Sequence, residues 1–423
     1  MNDLINKILQ RVQRITKTDV RYLLRGGFWL VLGQGFRMLS GLVLLVAFAN
    51  LLPKEVYGTY QFVMAAATIL SAFTLSGMGS AITRATAQGN EGALRYGVRT
   101  KIVWSIGITF AAATLALYYF YNENNTLAVS FLIVGAFSPF LESFRLYRFY
   151  LRGKQQFKES ELLGFARQAI PVLVMLVAIF LTQDPALLLG AYFASHTFAV
   201  GLVYFQVVHR YELPITKTDD MVNLSKHLSV LKILGMVASN LDKLLIFHFL
   251  GPAPVAAYVI AQSPVTHMKK VLSILTEMTI PKLSKRNFSE LQKTLPRKVW
   301  LFLLLCVIVA GAYILIAPFL FGIFFPTYPE SVLFTQAMAL ILLAYPKSIF
   351  GQAFKAHALK REIYLSGLCT PILGILFLVV LLPMYGIWGA VWAPLLAQLI
   401  SNIYTRILFA RAKAPDLQST ENV

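Results

Sequence analysis

Charged side chains lie inside several long apolar segments of this sequence, where each charge needs a structural or functional reason. Arg37 lies about ten residues into the first apolar segment, with Gln34 one turn before it and Gly33 and Gly41 on the same helical face. An arginine at that depth presents a planar fork of donors that suits a carboxylate or a phosphate, and glycines allow another helix to approach closely. Arg37 and Gln34 are therefore candidate anion-binding residues. The alternative is an arginine satisfied by neighbouring backbone and side-chain groups.

A second polar cluster lies in the second half of the chain. Asp242 and Lys243 are adjacent in one apolar segment, and Gln262 and Lys269 share a face of the next. Charges within a bilayer line substrate or ion pathways, or pair with one another. Two interpretations stay open. Asp242 pairs with Lys243 or Arg37 and fixes helix register, or these groups line a water-filled cavity that binds substrate or a coupling cation.

Two further charged positions complete the candidate set. Lys347 follows Pro346 inside an apolar segment, and Glu142 precedes Arg145 by three residues, a spacing at which the two also pair on a helix. Basic groups outnumber acidic ones at depth, which suits an anion such as a lipid diphosphate. The substrate-binding candidates are Arg37, Gln34, Lys243, Gln262, Lys269 and Lys347, and the coupling-ion or counter-ion candidates are Asp242 and Glu142.

The elements that carry these residues are membrane-spanning helices. The chain has 423 residues, of which 57% are hydrophobic and 13% charged, whereas soluble domains are roughly 25% charged. The apolar residues form blocks of about 20, the length that crosses a bilayer core about 30 Å thick. We predict an all-α polytopic membrane protein with about twelve spans, at 27–51, 56–80, 99–121, 127–150, 161–182, 186–208, 229–250, 254–279, 298–321, 331–354, 363–382 and 386–410.

Basic residues are concentrated in every second loop of this prediction, and the intervening loops contain a single lysine, Lys54. Positive charge marks cytoplasmic loops, so both termini are predicted to be cytoplasmic. The same bias explains the net charge of +19 without a nucleic-acid partner. Two cysteines and six scattered histidines offer no metal-ligand spacing, so no metal or other cofactor is predicted.

A weak internal repeat divides the chain into two halves. Residues 52–60 and 251–258 each place a proline turn before a tyrosine, and six predicted spans separate the copies. Two parallel six-helix bundles around a central site are a recurrent plan of transporters. The predicted domains are a cytoplasmic amphipathic segment at 1–26, an N-terminal bundle at 27–208, a cytoplasmic linker at 209–228, a C-terminal bundle at 229–410 and a cytoplasmic tail at 411–423.

Four motifs, in order along residues 25–410, resemble the polysaccharide and O-antigen flippases of the multidrug/oligosaccharidyl-lipid/polysaccharide exporter superfamily. They are ANLLPKEVYGTY at 49–60, SGMGSAITR at 76–84, NLDKLLIFHFLG at 240–251 and YGIWGA at 385–390, although Ala257 replaces the family's usual glycine. The resemblance implies a two-bundle fold with alternating access and a cationic lumen, which fits Arg37, Lys243 and Lys269. It also implies transport of undecaprenyl-diphosphate-linked oligosaccharide from the cytoplasmic to the outer leaflet.

The resemblance further implies a protein of the bacterial cytoplasmic (inner) membrane, with membrane lipids and polysaccharide polymerase and chain-length machinery as partners. Three alternatives remain. A cation-coupled multidrug exporter of the same superfamily would favour acidic groups in its cavity, whereas basic groups dominate here. A membrane polymerase or ligase acting on lipid-linked glycan would need a large outer loop with acid and base residues, and the predicted outer loops are short. The third alternative is a scaffold without transport activity, and the expectation is a protein that is not an enzyme.

Overall fold

A computed structural model of the chain describes residues 20–215, 219–284 and 286–412. The predicted amphipathic segment at 1–26 lies largely outside the described residues, as do residues 413–423 of the tail. Helices make up the described part of the chain, which contains no strand. The predicted all-α fold class is thus confirmed.

The helices of the described residues follow one another with short connections. We number them α1 (Val20–Leu51), α2 (Lys54–Ala72), α3 (Met78–Ala87), α4 (Ala93–Trp104), α5 (Ile106–Tyr121), α6 (Asn125–Phe144), α7 (Tyr147–Gly153), α8 (Phe157–Leu181), α9 (Pro185–Arg210), α10 (Asp219–Ala238), α11 (Leu241–Leu250), α12 (Pro252–Glu277), α13 (Ile280–Leu283), α14 (Phe288–Phe324), α15 (Ser331–Ala339), α16 (Ser348–Ala356), α17 (Lys360–Tyr385) and α18 (Ile387–Arg411), with a 3-10 segment at Leu340–Lys347.

Nine helical segments of the described chain are long and apolar enough to cross a membrane. The other three predicted spans, at 56–80, 229–250 and 254–279, are also helical. They correspond to α2, to the broken pair α10 and α11, and to α12. These helices are shorter, interrupted or more polar than the nine, which makes about twelve helices a plausible count. Large apolar side chains on the outside, such as Phe110, Phe180 and Leu315, are 74–81% exposed, as expected where a surface faces lipid.

The predicted outer turns have local features that explain why the helices stop there. The side chains of Asn124 and Asp184 accept backbone N–H bonds at 3.0 and 2.8 Å and cap α6 and α9. Gly251 and Gly386, between α11 and α12 and between α17 and α18, have φ values of 87° and 58°. Backbone in this region favours glycine because it has no Cβ. Each turn therefore lets two helices follow each other with almost no loop.

The first of two compact units contains residues up to Ala47 together with Leu70–Ile233. Here α6 packs against α5 and α9, and α9 packs against α8. Thr109 donates a hydrogen bond to the Gly135 carbonyl at 2.9 Å, and a Cβ on Gly135 would lie 3.2 Å from the Ala112 Cβ. Small residues therefore allow α5 and α6 to approach closely.

The second compact unit contains Phe48–Ile69 and the chain from Leu234 onward. Its core includes buried residues of α11, α12, α14, α15, α17 and α18. The segment 48–69 joins this unit by close contacts. Phe62 stacks on Phe247 with ring centroids 3.9 Å apart, and Lys54 pairs with Glu330 at 2.6 Å. The two compact units are not consecutive halves of the sequence, because residues 48–69 pack with the later part of the chain.

Candidate functional site

The first unit places Arg37 of α1 in an ion pair that the sequence did not predict. Its Nη1 atom donates to Glu161 Oε2 of α8 at 2.6 Å, and its Nη2 atom donates to Gln34 Oε1 at 3.2 Å. The Arg37 side chain is 24% exposed, whereas that of Glu161 is 1% exposed. Arg37 and Gln34, both predicted to bind substrate, are thus hydrogen-bonded to each other.

A missing side chain makes this pairing possible. A Cβ added to Gly33 would lie 1.9 Å from Glu161 Oε2, so any other residue there would force the carboxylate to shift from its place beside α1. The close approach expected at the glycine face therefore occurs at Gly33, whereas Gly41 has no described neighbour within 4 Å. Phe36 and Phe165 hold the two helices together next to the ion pair, with ring centroids 5.0 Å apart.

A second arginine approaches Glu161, and further arginines lie near these two. Arg152 of α7 approaches Glu161 Oε1 at 3.6 Å. Arg148 is an electrostatic neighbour of Arg37, Arg152 and Arg167, and within the described ranges it forms no ion pair. Arg167 of α8 is only 6% exposed. These guanidinium groups repel one another, and Glu161 is ion-paired with two of them, Arg37 and Arg152.

The neighbouring carboxylate, Glu142, is also shared between two basic side chains. Arg145 donates to its Oε1 atom at 2.6 Å, and the buried Lys101 lies 3.6 Å from its Oε2 atom. The predicted pairing of Glu142 with Arg145 is confirmed. Arg145 also interacts electrostatically with Arg167, which makes the two ion-paired groups continuous. We call the whole set the arginine cluster: Arg37, Lys101, Glu142, Arg145, Arg148, Arg152, Glu161 and Arg167.

The arginine cluster carries a surplus of positive charge, because six basic side chains face two carboxylates. Arg37, Arg145 and Arg152 are 24–35% exposed, so water or a ligand can reach part of each fork. Guanidinium groups bind phosphate oxygens in a bidentate manner, and such charge-assisted bonds are roughly twice as strong as neutral ones. The arrangement therefore suits an anion with several oxygens, such as a diphosphate.

The second unit brings together three of the predicted residues, Asp242, Lys243 and Gln262. Asp242 Oδ1 accepts from the Lys243 backbone N–H at 2.9 Å and from Lys243 Nζ at 3.0 Å. Its Oδ2 atom accepts from the Tyr258 hydroxyl at 2.9 Å and from the Gln262 amide at 3.2 Å. Asp242 is thus a buried carboxylate with four donors, and Tyr258 is the member of this cluster that the sequence analysis missed.

A break in the predicted span 229–250 positions this carboxylate. Helix α10 ends at Ala238 and α11 begins at Leu241, so Ser239 and Asn240 form a turn inside the apolar segment. Asp242 then lies in the first turn of α11, where the helix dipole favours a negative charge. Interrupted helices of this kind occur at binding sites of transporters because unpaired backbone groups there face polar surroundings.

Lys347 and Lys269, in the same unit, form no hydrogen bond or ion pair with Asp242 among the described residues. Lys347 donates to the hydroxyls of Thr370 and Ser401 at 2.8 and 3.0 Å. Lys269 is its electrostatic neighbour. Neither amine has a carboxylate partner in the part of the chain that the structure describes. The structure thus places the predicted residues in two units, with Arg37, Gln34 and Glu142 in the first and the remaining five in the second.

Glu161 is the residue of the first unit that sequence reasoning missed. It stands at the first position of the predicted span 161–182, where a carboxylate would be solvated. In the structure, α8 begins at Phe157, so Glu161 lies one turn inside the helix. The signal that could have found it is Gly33, because a glycine beside a membrane arginine leaves space for a counter-ion from another helix.

Comparisons with known proteins agree with this architecture. The sequence matches the family described as "Polysaccharide biosynthesis protein" over residues 23–287, and no curated protein sequence matches the chain. The structure is similar to that of the lipid II flippase MurJ in an inward closed conformation, with a TM-score of 0.68 and 13% identity over 91% of this chain and 87% of that one. It is also similar to an inward-facing multidrug resistance MATE family transporter of the MOP superfamily, with a TM-score of 0.70 and 12% identity over 88% and 94% of the two chains.

A third similar structure is a MOP superfamily transporter from Pyrococcus furiosus whose binding pocket is described as having reverse polarity. Its TM-score is 0.57, with 13% identity over 94% of this chain and 98% of that one. At such identities the likeness shows the fold alone, which is a multi-pass membrane transporter fold. With more than half of its residues matched by the family, this chain belongs to the polysaccharide biosynthesis proteins and has the fold of the MOP superfamily.

Proposed function

We propose that this protein is a flippase that moves undecaprenyl-diphosphate-linked oligosaccharide from the cytoplasmic to the outer leaflet by alternating access, for the synthesis of a cell-surface polysaccharide such as O-antigen. The observation that carries the proposal is the positive surplus of the arginine cluster. A diphosphate that leaves bulk water needs several cationic donors at once, because an unpaired charge within a membrane costs several kcal/mol.

The charge of the arginine cluster weighs against the multidrug alternative. A cationic drug beside Arg37, Arg148 and Arg152 would meet repulsion, and the two nearby carboxylates are already engaged by basic groups. The enzyme alternative also lacks support, because the relatives in fold are transporters. Lys243, Gln262, Lys269 and Lys347 are retained as proposed contacts of the same substrate in the second unit, with Asp242 as a coupling or counter-ion group.

The proposal places the protein in a bacterial inner membrane with both termini in the cytoplasm, on the basis of the basic loops. This orientation puts the basic ends of α7 and α8 on the side where lipid-linked glycans are assembled. The flipped product would then be used at the outer leaflet by a polymerase and by chain-length machinery, which are proposed partners together with membrane lipids.

The test is a leaflet-exchange assay in proteoliposomes with a fluorescent undecaprenyl-diphosphate oligosaccharide. Wild-type protein should accelerate the loss of label from the accessible leaflet, measured with a membrane-impermeant quencher. Arg148→Gln should lower the rate at least tenfold, because the cluster loses a charge that has no carboxylate partner among the described residues. Arg210→Gln is the matched control, since Arg210 is 64% exposed at the end of α9. Equal rates with and without protein, together with efflux of a cationic dye, would favour the multidrug alternative.

A further inference from the structure

The ion pairs around Glu161 leave several polar atoms without hydrogen bonds. Glu161 Oε1 is buried and accepts no hydrogen bond from any described residue, and Arg152 reaches it only at 3.6 Å. The Nε atoms of Arg152 and Arg167 are also buried without acceptors in the described structure. Buried polar atoms are normally paired, so these three orphaned atoms of the arginine cluster need an explanation.

A carboxylate has too few oxygens for the donors that surround it. Arg37 and Arg152, which contact Glu161, and their neighbour Arg148 each bring up to five N–H donors, whereas Glu161 contributes two oxygens. A diphosphate has more acceptor oxygens and more negative charge, so it can satisfy donors that Glu161 leaves unpaired. The resting arrangement is therefore suited to exchange of one anion for another.

The hydrogen bonds of Arg37 favour such an exchange. Nη1 donates to Glu161 and Nη2 donates to Gln34, so one N–H of each arm of the fork is already engaged. The amide of Gln34 is neutral and lies at the longer distance of 3.2 Å, whereas the Glu161 contact at 2.6 Å is charge-assisted. A phosphate that takes the place of the Glu161 carboxylate at Nη1 must break this stronger contact, and the strength of the contact therefore lowers the affinity for the ligand.

We propose that Glu161 is an internal counter-ion that the diphosphate of the substrate displaces from Arg37 and Arg152 on binding, and that returns to them on release. The inference rests on the proposed function for the identity of the substrate. When displaced, the carboxylate remains within the positively charged arginine cluster, so no isolated charge is created. Glu161 is thus a positioning residue that keeps the affinity for the substrate low enough for the substrate to leave at the outer leaflet.

The test measures binding of inorganic pyrophosphate to the purified full-length protein in detergent, by isothermal titration at fixed low ionic strength. Glu161→Gln keeps the size of the side chain and removes the competing charge, so it should bind pyrophosphate about tenfold more tightly or better, a difference of about 1.4 kcal/mol. Glu159→Gln is the matched control on the same helix, because Glu159 pairs with Arg210 and Tyr211 at 3.2 and 2.6 Å and should leave the affinity unchanged.

Flipping by Glu161→Gln should be slower than by wild type at equal protein levels, because a more tightly bound substrate leaves more slowly. If Glu161→Gln does not fold, Glu161→Asp serves instead. Aspartate keeps the negative charge, but its side chain is one methylene shorter, which moves the carboxylate roughly 1.5 Å away from the arginines. This variant should bind pyrophosphate about two- to fivefold more tightly. If a folded Glu161 variant binds pyrophosphate no more tightly than the wild type, while the wild type does flip the lipid-linked glycan, the counter-ion role is overturned and the proposed function stands. Tighter pyrophosphate binding without any flipping of the lipid-linked glycan upholds the counter-ion role and overturns the proposed function.

Discussion

Replacing Gly33 by alanine tests whether the gap beside α1 exists to hold the Glu161 carboxylate. The new Cβ would lie 1.9 Å from Glu161 Oε2 and 2.7 Å from its Cδ. Ordinary contact begins near 3.4 Å, so the carboxylate must retreat by about 1.5 Å. A retreat directed away from Arg37 would lengthen the bond between the two side chains, now 2.6 Å, to about 4 Å, at which it is no longer a hydrogen bond.

Two opposing effects determine how much Gly33→Ala changes the free energy of unfolding. Loss of one charge-assisted hydrogen bond costs about 1.5–3 kcal/mol, and exchange of glycine for alanine in a helix returns up to about 1 kcal/mol. We expect Gly33→Ala to lower the free energy of unfolding by about 1–2 kcal/mol, seen as a melting temperature a few degrees lower in detergent. Gly41→Ala, on the same helix with no described neighbour within 4 Å, should be neutral or slightly stabilising.

The reasoning is refuted if the two variants have the same melting temperature. A second check uses a double-mutant cycle with Glu161→Ala. Because the clash requires the long side chain, Gly33→Ala should cost nothing further in that background. A full additional loss of stability would show that the alanine strains the backbone for another reason.

Three further predictions concern the second unit and the topology. Alkaline-phosphatase fusions should be active at Asn124 and Asp184, in the outer loops, and inactive at Lys217 and Lys293, in the cytoplasmic loops. Phosphatase activity at Lys217 or Lys293 would contradict the predicted orientation. Gly58→Ala should sharply reduce the yield of folded protein in membranes, since its Cβ would lie 1.8 Å from the Pro252 carbonyl oxygen; Gly311→Ala, in open space, should not. Tyr258→Phe should lower the free energy of unfolding by about 1–2 kcal/mol, measured by thermal denaturation, because the hydrogen bond to Asp242 is lost. Tyr385→Phe should have no effect, because Tyr385 is 61% exposed.

The helices could be predicted from sequence because length and apolar composition report directly on what a bilayer accepts. The turns at Gly251 and Gly386 were predicted for the same reason, since glycine and proline interrupt apolar blocks there. The break at Ser239 and Asn240 was not predicted. Both residue types also occur within helices, so the decision between a continuous and a broken span depends on the partners of Asp242, which lie on another helix.

The candidate site could be predicted only in part. The position of Arg37 along its helix fixes its depth, and the sequence therefore identified it. Its partner depends on which helix faces it, and Glu161 lies 124 positions later in the chain. The period of a helix indicates which residues share a face, but it does not indicate which other face lies opposite. For this reason the sequence indicated that Gln34, on the same helix, lies next to Arg37, whereas it did not indicate Glu161.

The distance along the chain between Arg37 and Glu161 has a consequence for biosynthesis. Ribosomes add about 5–20 residues per second, so the 124 positions between the two residues correspond to about 6–25 s. During this time α1 has been made, but its buried counter-ion does not yet exist. Until α8 is synthesised, α1 carries the uncompensated charge of Arg37. During that time α1 stays near the translocation machinery, or the Arg37 side chain extends towards the lipid headgroups. Shortened chains that end before α8 should therefore be early substrates for membrane proteases.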